Sequence, residues 1–142
     1  MQPLPRLLSR VALSGAAFLA LAACDGRPIV PLDGALITGD WNGAHLSLAL
    51  DAQGGTSEYD CAHGGLSAPL ILSADGTFAV AGVHVREMGG PVREGELPDT
   101  LPALYFGRWD GGALTMRVVV EADTLGPFVL REDAPVRLTK CL

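Results

Sequence analysis

Between residues 44 and 141 the chain alternates apolar and polar side chains in short runs. In His45–Asp51, Leu46, Leu48 and Leu50 share one phase, while His45, Ser47 and Asp51 take the other. In Ala113–Glu121, Leu114, Met116, Val118 and Val120 oppose Thr115, Arg117 and Glu121. A period of two is that of a β-strand with one face in a core and one in water. Between such runs stand Asp51-Ala52-Gln53-Gly54-Gly55, Ala74-Asp75-Gly76 and Asp110-Gly111-Gly112. These supply the positive-φ positions that tight hairpins need.

The pattern predicts strands at Leu36–Trp41, Ala44–Asp51, Thr56–Ala62, Pro69–Leu72, Thr77–Arg86, Ala103–Asp110, Ala113–Glu121, Pro127–Arg131 and Val136–Cys141. Gly82 interrupts the phase of its segment and predicts a bulge or sharp bend. Eighteen glycines and ten prolines oppose helices after the N-terminal segment. The expected fold is all-β: a small antiparallel up-and-down barrel of about eight strands, closed because closure removes exposed edges. Glu87–Pro102 is polar, proline-punctuated and longer than a hairpin connection, as functional or disordered loops are.

The first residues follow another rule. Arg6 and Arg10 precede the apolar run Val11–Leu21, too short to span a bilayer and followed by small residues, the pattern of a signal segment. Leu21-Ala22-Ala23-Cys24 resembles the lipobox of bacterial lipoprotein precursors. The resemblance implies cleavage before Cys24, acylation of that cysteine, and anchoring in the bacterial envelope. Asp25 behind it resembles the signal that retains some enterobacterial lipoproteins in the inner membrane, the alternative being the outer membrane. The expected organisation is a signal peptide over 1–23, a lipidated cysteine with a proline-containing tether over 24–34, and a barrel domain over 35–142.

Charge narrows the partners. Once Arg6 and Arg10 leave with the signal, eight cations face sixteen carboxylates, a balance of −8. A nucleic-acid partner would need a basic face, and an acidic surface does not dock flat on anionic lipid. Membrane attachment is therefore expected through the acyl chains on Cys24, since two or more chains hold a protein where one does not.

With Cys24 assigned to lipid, Cys61 and Cys141 remain. An exported compartment permits their pairing, the alternatives being two free thiols or metal ligands. The bond would close a loop of about 80 residues, worth roughly 4–5 kcal/mol on the chain-entropy account.

Several residues could carry chemistry. Glu58-Tyr59-Asp60-Cys61-Ala62-His63 is the densest reactive cluster, and on one strand Cys61 and His63 would share a face as nucleophile and base. Against this, no orienting third group is legible, and Cys141 offers Cys61 an ordinary partner. His45, His63 and His84, with Asp60, are the candidate metal ligands. Their scattered spacing matches no usual site, so neither a metal nor another cofactor is expected. Arg86, Glu87, Arg93, Glu94 and Glu96 flank or occupy the long loop and read as a solvated charge run or a recognition loop at a barrel mouth. Alternation in Tyr105-Phe106-Gly107-Arg108-Trp109 puts Tyr105 and Trp109 on one side, Phe106 and Arg108 on the other.

Gly39-Asp40-Trp41, with Arg137 or Lys140 near the chain end, resembles lipocalin and avidin-like barrels. The resemblance implies a Trp41 closing the barrel floor against a cation. Asp60-Cys61-Ala62-His63-Gly64, Gly89-Gly90-Pro91-Val92-Arg93 and Lys140-Cys141-Leu142 are similar to a family of small secreted bacterial proteins of no assigned activity.

The expected function is that of a non-enzymatic, lipid-anchored envelope barrel that binds a small ligand or packs against envelope proteins. Candidate binding residues are Trp41, His63, Arg86, Arg93, Glu94 and Trp109. One alternative is an inhibitor of an envelope-directed hydrolase, resembling in outline the membrane-bound lysozyme inhibitors and presenting the 87–102 loop. The other is a thiol- or metal-dependent enzyme.

Overall fold

A computed structural model describes residues 32–90, 95 and 97–141. Cys24 and the segments assigned to signal and most of the tether lie outside the described residues, as do Arg93, Glu94 and Glu96.

Ten strands follow one another: β1 (Leu36–Ile37), β2 (Gly39–Asn42), β3 (Leu46–Leu50), β4 (Gly55–Tyr59), β5 (Ala62–Leu66), β6 (Leu70–Ile71), β7 (Thr77–Arg86), β8 (Asp99–Trp109), β9 (Leu114–Val120) and β10 (Asp123–Glu132). Eight of them close an antiparallel barrel in the order β10-β2-β3-β4-β5-β7-β8-β9, and β1 pairs with β6 as a small side sheet. The predicted all-β barrel is the observed fold. Among the described residues there is no helix.

The alternation read from the sequence is the alternation of burial. Leu46, Leu48, Leu114, Met116, Val118 and Val120 are each no more than 2% exposed. The predicted turns form as their glycines require, with Gly54, Gly76 and Gly111 at positive φ. Aspartates brace them: Asp51 Oδ1 accepts the N–H groups of Gln53 and Gly54, and Asp110 Oδ1 accepts those of Gly112 and Ala113.

Five expectations need correction. The Glu87–Pro102 loop ends at Pro98, because Asp99–Pro102 belong to β8 and pair with Val83–Arg86. Thr56–Ala62 is not one strand, because Cys61 turns the chain at φ 53° and Ala62 opens β5 on Tyr59. The glycines Gly64 and Gly65 hid β5 by interrupting the apolar pattern. Leu36–Trp41 breaks in two, with Gly39 at φ 97° where β1 parts from β2. Val136–Cys141 is not a strand and touches the sheet through one parallel bridge, Ala44 with Arg137. Gly82 marks no bulge, since β7 keeps unbroken register with β8 from Thr77 to Arg86.

The real role of Gly82 is to make room. A Cβ there would lie 2.0 Å from the Gly65 carbonyl oxygen and 2.8 Å from Cε2 of Tyr105. Tyr105, fully buried, points inward from β8 and fills the space that Gly82 and Gly64 leave. The barrel interior is thus packed with side chains. One end is covered by the β1–β6 pair, whose Leu70 is buried together with the adjacent Leu72. The opposite end, where the β2–β3, β4–β5, β7–β8 and β9–β10 connections gather, is the mouth.

Candidate functional site

A cleft of about 280 Å³ lies at the mouth, lined by His45, Tyr59, Asp60, Cys61, Ala62, His84, Arg86, Leu125, Gly126 and Phe128. Its position follows from strand phase. In β7 the inward positions Phe78 and Val80 continue through His84 to Arg86 at the rim. Tyr59 is the last residue of β4 and faces inward with Ser57. Phe128 enters from β10 just beyond the irregularity between Leu125 and Phe128, which opens the wall there.

Three rings form the apolar part. Tyr59 meets His84 edge-on with centroids 5.0 Å apart, and Phe128 at 6.0 Å. Such tilted pairs are the favoured aromatic geometry. Tyr59 and His84 are 3% and 6% exposed, and the Tyr59 Oη and His84 Nδ1 atoms lack a hydrogen-bond partner among the described residues. Burial, then the neighbouring Tyr105, pushes the Tyr59 phenol above its ordinary pKa. Burial, then the charges of Arg86 and His63, hold His84 below its ordinary 6.5, so its ring is neutral at pH 7.

At the rim, the Arg86 guanidinium reaches Glu121 at 3.3 Å and Asp99 at 3.8 Å. All three side chains are about half exposed, so these pairs contribute little to stability. Two rim turns place non-glycine residues at positive φ beside the cleft, His45 at 69° and Cys61 at 53°, and Glu121 does so at 53° in the β9–β10 turn. Left-handed backbone at non-glycine residues costs of order 1–3 kcal/mol and concentrates at functional sites.

The chain end straps this rim from outside. The His45 N–H donates to the Arg137 carbonyl at 3.0 Å. Asp60 Oδ1 accepts the Thr139 N–H at 2.6 Å, while its other oxygen contacts the His45 ring. Lys140 donates to Glu58 at 2.6 Å and lies 3.6 Å from Glu87, which also bonds His63 at 2.8 Å. Cys141 then closes on Cys61 in a disulfide with Cα atoms 4.8 Å apart, within the usual range. The Thr139 hydrogen bond, then His45, lowers the Asp60 pKa, and the His63 hydrogen bond does the same for Glu87. The bond to Glu58 raises that of Lys140.

Of the candidate binding residues, Arg86 is in the cleft. Trp41 is buried in the core, where its indole N–H donates to the Thr38 carbonyl at 3.0 Å. Of the two cations proposed for it, Lys140 is engaged with Glu58, and Arg137 joins the strap through its backbone carbonyl. Trp109 ends β8 opposite Leu114, packed on the core. His63 points outward to Glu87, away from the cleft. Cys61 and His63 do not share a strand face, because Cys61 occupies the turn. No group of three or more His, Cys, Asp or Glu able to hold a metal occurs among the described residues.

The sequence reading missed Tyr59, Leu125 and Phe128 as site residues and considered His84 only as a metal ligand. The signal for His84 was its phase with Phe78 and Val80, which the mistaken bulge at Gly82 obscured. Phe128 gave none, because its position depends on the β10 irregularity. No protein family, curated protein or solved structure matches this chain.

Proposed function

We propose that this chain is a lipid-anchored envelope protein whose barrel binds a small ligand at its mouth. The observation that carries the ligand reading is the cleft itself: an aromatic-walled recess lined by a buried His84 whose Nδ1 lacks a hydrogen-bond partner among the described residues. Buried polar groups are normally satisfied, and clefts that combine apolar walls with a few polar groups are the usual form of a binding site. Because the interior is filled, the ligand sits in the mouth and not along the barrel axis as in a deep-chambered barrel. Binding is favoured over thiol catalysis because Cys61, the candidate nucleophile, is held in a disulfide. The anchoring half of the proposal rests on the Leu21-Ala22-Ala23-Cys24 motif.

Thermal-shift screening of the full chain against small amphiphiles tests the ligand half. A stabilising compound whose effect disappears in Phe128→Ala supports it; a panel without any stabilising compound overturns it. Metabolic labelling with a fatty acid tests the other half. Label is expected on the wild type and absent from Cys24→Ser, and an unlabelled wild type overturns anchoring.

A second reading, inhibition of an envelope hydrolase, is favoured by two exposed apolar residues near the two ends of the β7–β8 connection. Met88 is 75% and Leu97 87% exposed, as residues awaiting a partner surface would be.

A further inference from the structure

We infer that the mouth cleft takes a small aryl monocarboxylate, its ring against Tyr59 and Phe128 and its carboxylate on the Arg86 guanidinium. The inference rests on the mouth-cleft reading above and adds the ligand's chemistry to it.

Size comes first. A space of about 280 Å³ lies just below the roughly 300–1,000 Å³ range of drug-sized sites. A space just under the small end of that range suits one ring with a short substituent. Shape agrees, since the Tyr59 ring meets both His84 and Phe128 at tilts above 60°, leaving a corner in which a further ring finds faces and edges. Leu125 completes the apolar wall.

Charge selects the substituent. Arg86 shares the phase of His84 and lines the recess at its rim. A guanidinium has five N–H donors; Glu121 takes one on Nη2 at 3.3 Å and Asp99 lies 3.8 Å from Nη1, which leaves Nε and the second hydrogen of each terminal nitrogen. The remaining fork matches a carboxylate in geometry and sign. A ligand carboxylate has to compete with Glu121 and Asp99, but both are half-exposed partners at 3.3 and 3.8 Å. A cationic ligand finds no free carboxylate in the lining itself, since Glu121 and Asp99 stand outside it beside Arg86. Asp60, the acidic residue of the lining, already spends its oxygens on His45 and the Thr139 N–H.

Calorimetric titration of the full chain with phenylacetate and with its neutral analogue phenylacetamide, at low salt, tests this. Phenylacetate is expected to bind at least about tenfold more tightly, in line with the greater strength of charge-assisted hydrogen bonds. Arg86→Gln should abolish that preference, and Arg86→Lys should keep part of it. Equal affinities in the wild type, or a preference that survives Arg86→Gln, overturn the inference. If the amide still binds and is lost in Phe128→Ala, the cleft remains a binding site for another ligand class. If neither probe binds, the inference falls, and the screen described above then decides whether the cleft reading falls with it.

Discussion

Tyr105 donates its hydroxyl hydrogen to the Val83 carbonyl across 2.8 Å inside the barrel, with Ser57 Oγ 2.9 Å from the Tyr105 hydroxyl oxygen. Tyr105 and Ser57 are both almost wholly buried. This polar knot lies next to Tyr59, so the floor beneath the cleft is set by it. A buried carbonyl and hydroxyl without partners would each cost about 1–3 kcal/mol. Tyr105→Phe should therefore lower unfolding stability by about that amount with little change in core volume. Urea denaturation checks it. An unchanged midpoint would mean that the bond contributes nothing net. Ser57→Ala, which leaves the bond to Val83 intact, should cost less.

The glycines that admit the Tyr105 ring should tolerate nothing larger. Alanine at Gly82 would put a Cβ 2.0 Å from the Gly65 carbonyl oxygen, and at Gly64 one 2.2 Å from that of Val83. These contacts are with backbone, which cannot move aside as a flexible side chain does. Gly82→Ala should cost at least about 1–3 kcal/mol, the range for overpacked cores. Gly112 is the control, its nearest neighbour being Arg131 Nη1 at 3.9 Å. Gly112→Ala should stay within about 0.5 kcal/mol of wild type. Equal effects at the two positions would show that the inward packing is wrongly drawn.

These glycines also explain what the sequence reveals and what it hides. Strands such as β3 and β9 are legible because each carries an unbroken apolar alternation that ends up as core. β5 was not legible, since Gly64 and Gly65 present no side chains to alternate, although they sit in register with Ser57 and Thr56. The final segment misled for the opposite reason. Val136, Leu138 and Lys140 imitate a strand's phase, but the backbone there is tied down by Asp60, His45 and the disulfide in place of a ladder. The disulfide was readable once the lipobox resemblance set Cys24 aside and left two cysteines. The cleft was only partly readable, because it depends on where several strands end relative to one another, and local periodicity does not encode that.

The strap should respond to acid. Asp60 and Glu87 have folded-state pKa values below their ordinary 3.8 and 4.5. The unfolded chain therefore takes up protons before the folded one does, and stability from these groups is whole above the ordinary values. It declines as the pH falls from there through the depressed folded values. Lys140 acts at the other extreme, its raised value giving stability that is lost as pH rises beyond its ordinary 10.5. Amide exchange at Thr139, bonded to Asp60, should lose protection below about pH 4 relative to core amides, once intrinsic rates are corrected. Protection that persists unchanged to pH 2 would remove the carboxylate from that role.

His84 should give a separate acid response, at higher pH. Its folded pKa lies below 6.5, chiefly through burial. Protonating it in place puts a charge beside the Arg86 cation, so the unfolded state binds the proton more readily. Stability from the neutral ring is complete above pH 6.5 and is lost as the pH falls from there through the folded value. The wild-type urea midpoint should thus drop between pH 7.5 and 5.5, while His84→Leu should remove most of that drop. A His63→Gln control separates the two histidines, since His63 lies outside on Glu87. A drop that survives His84→Leu would assign the effect to another group and leave the cleft floor insensitive to pH.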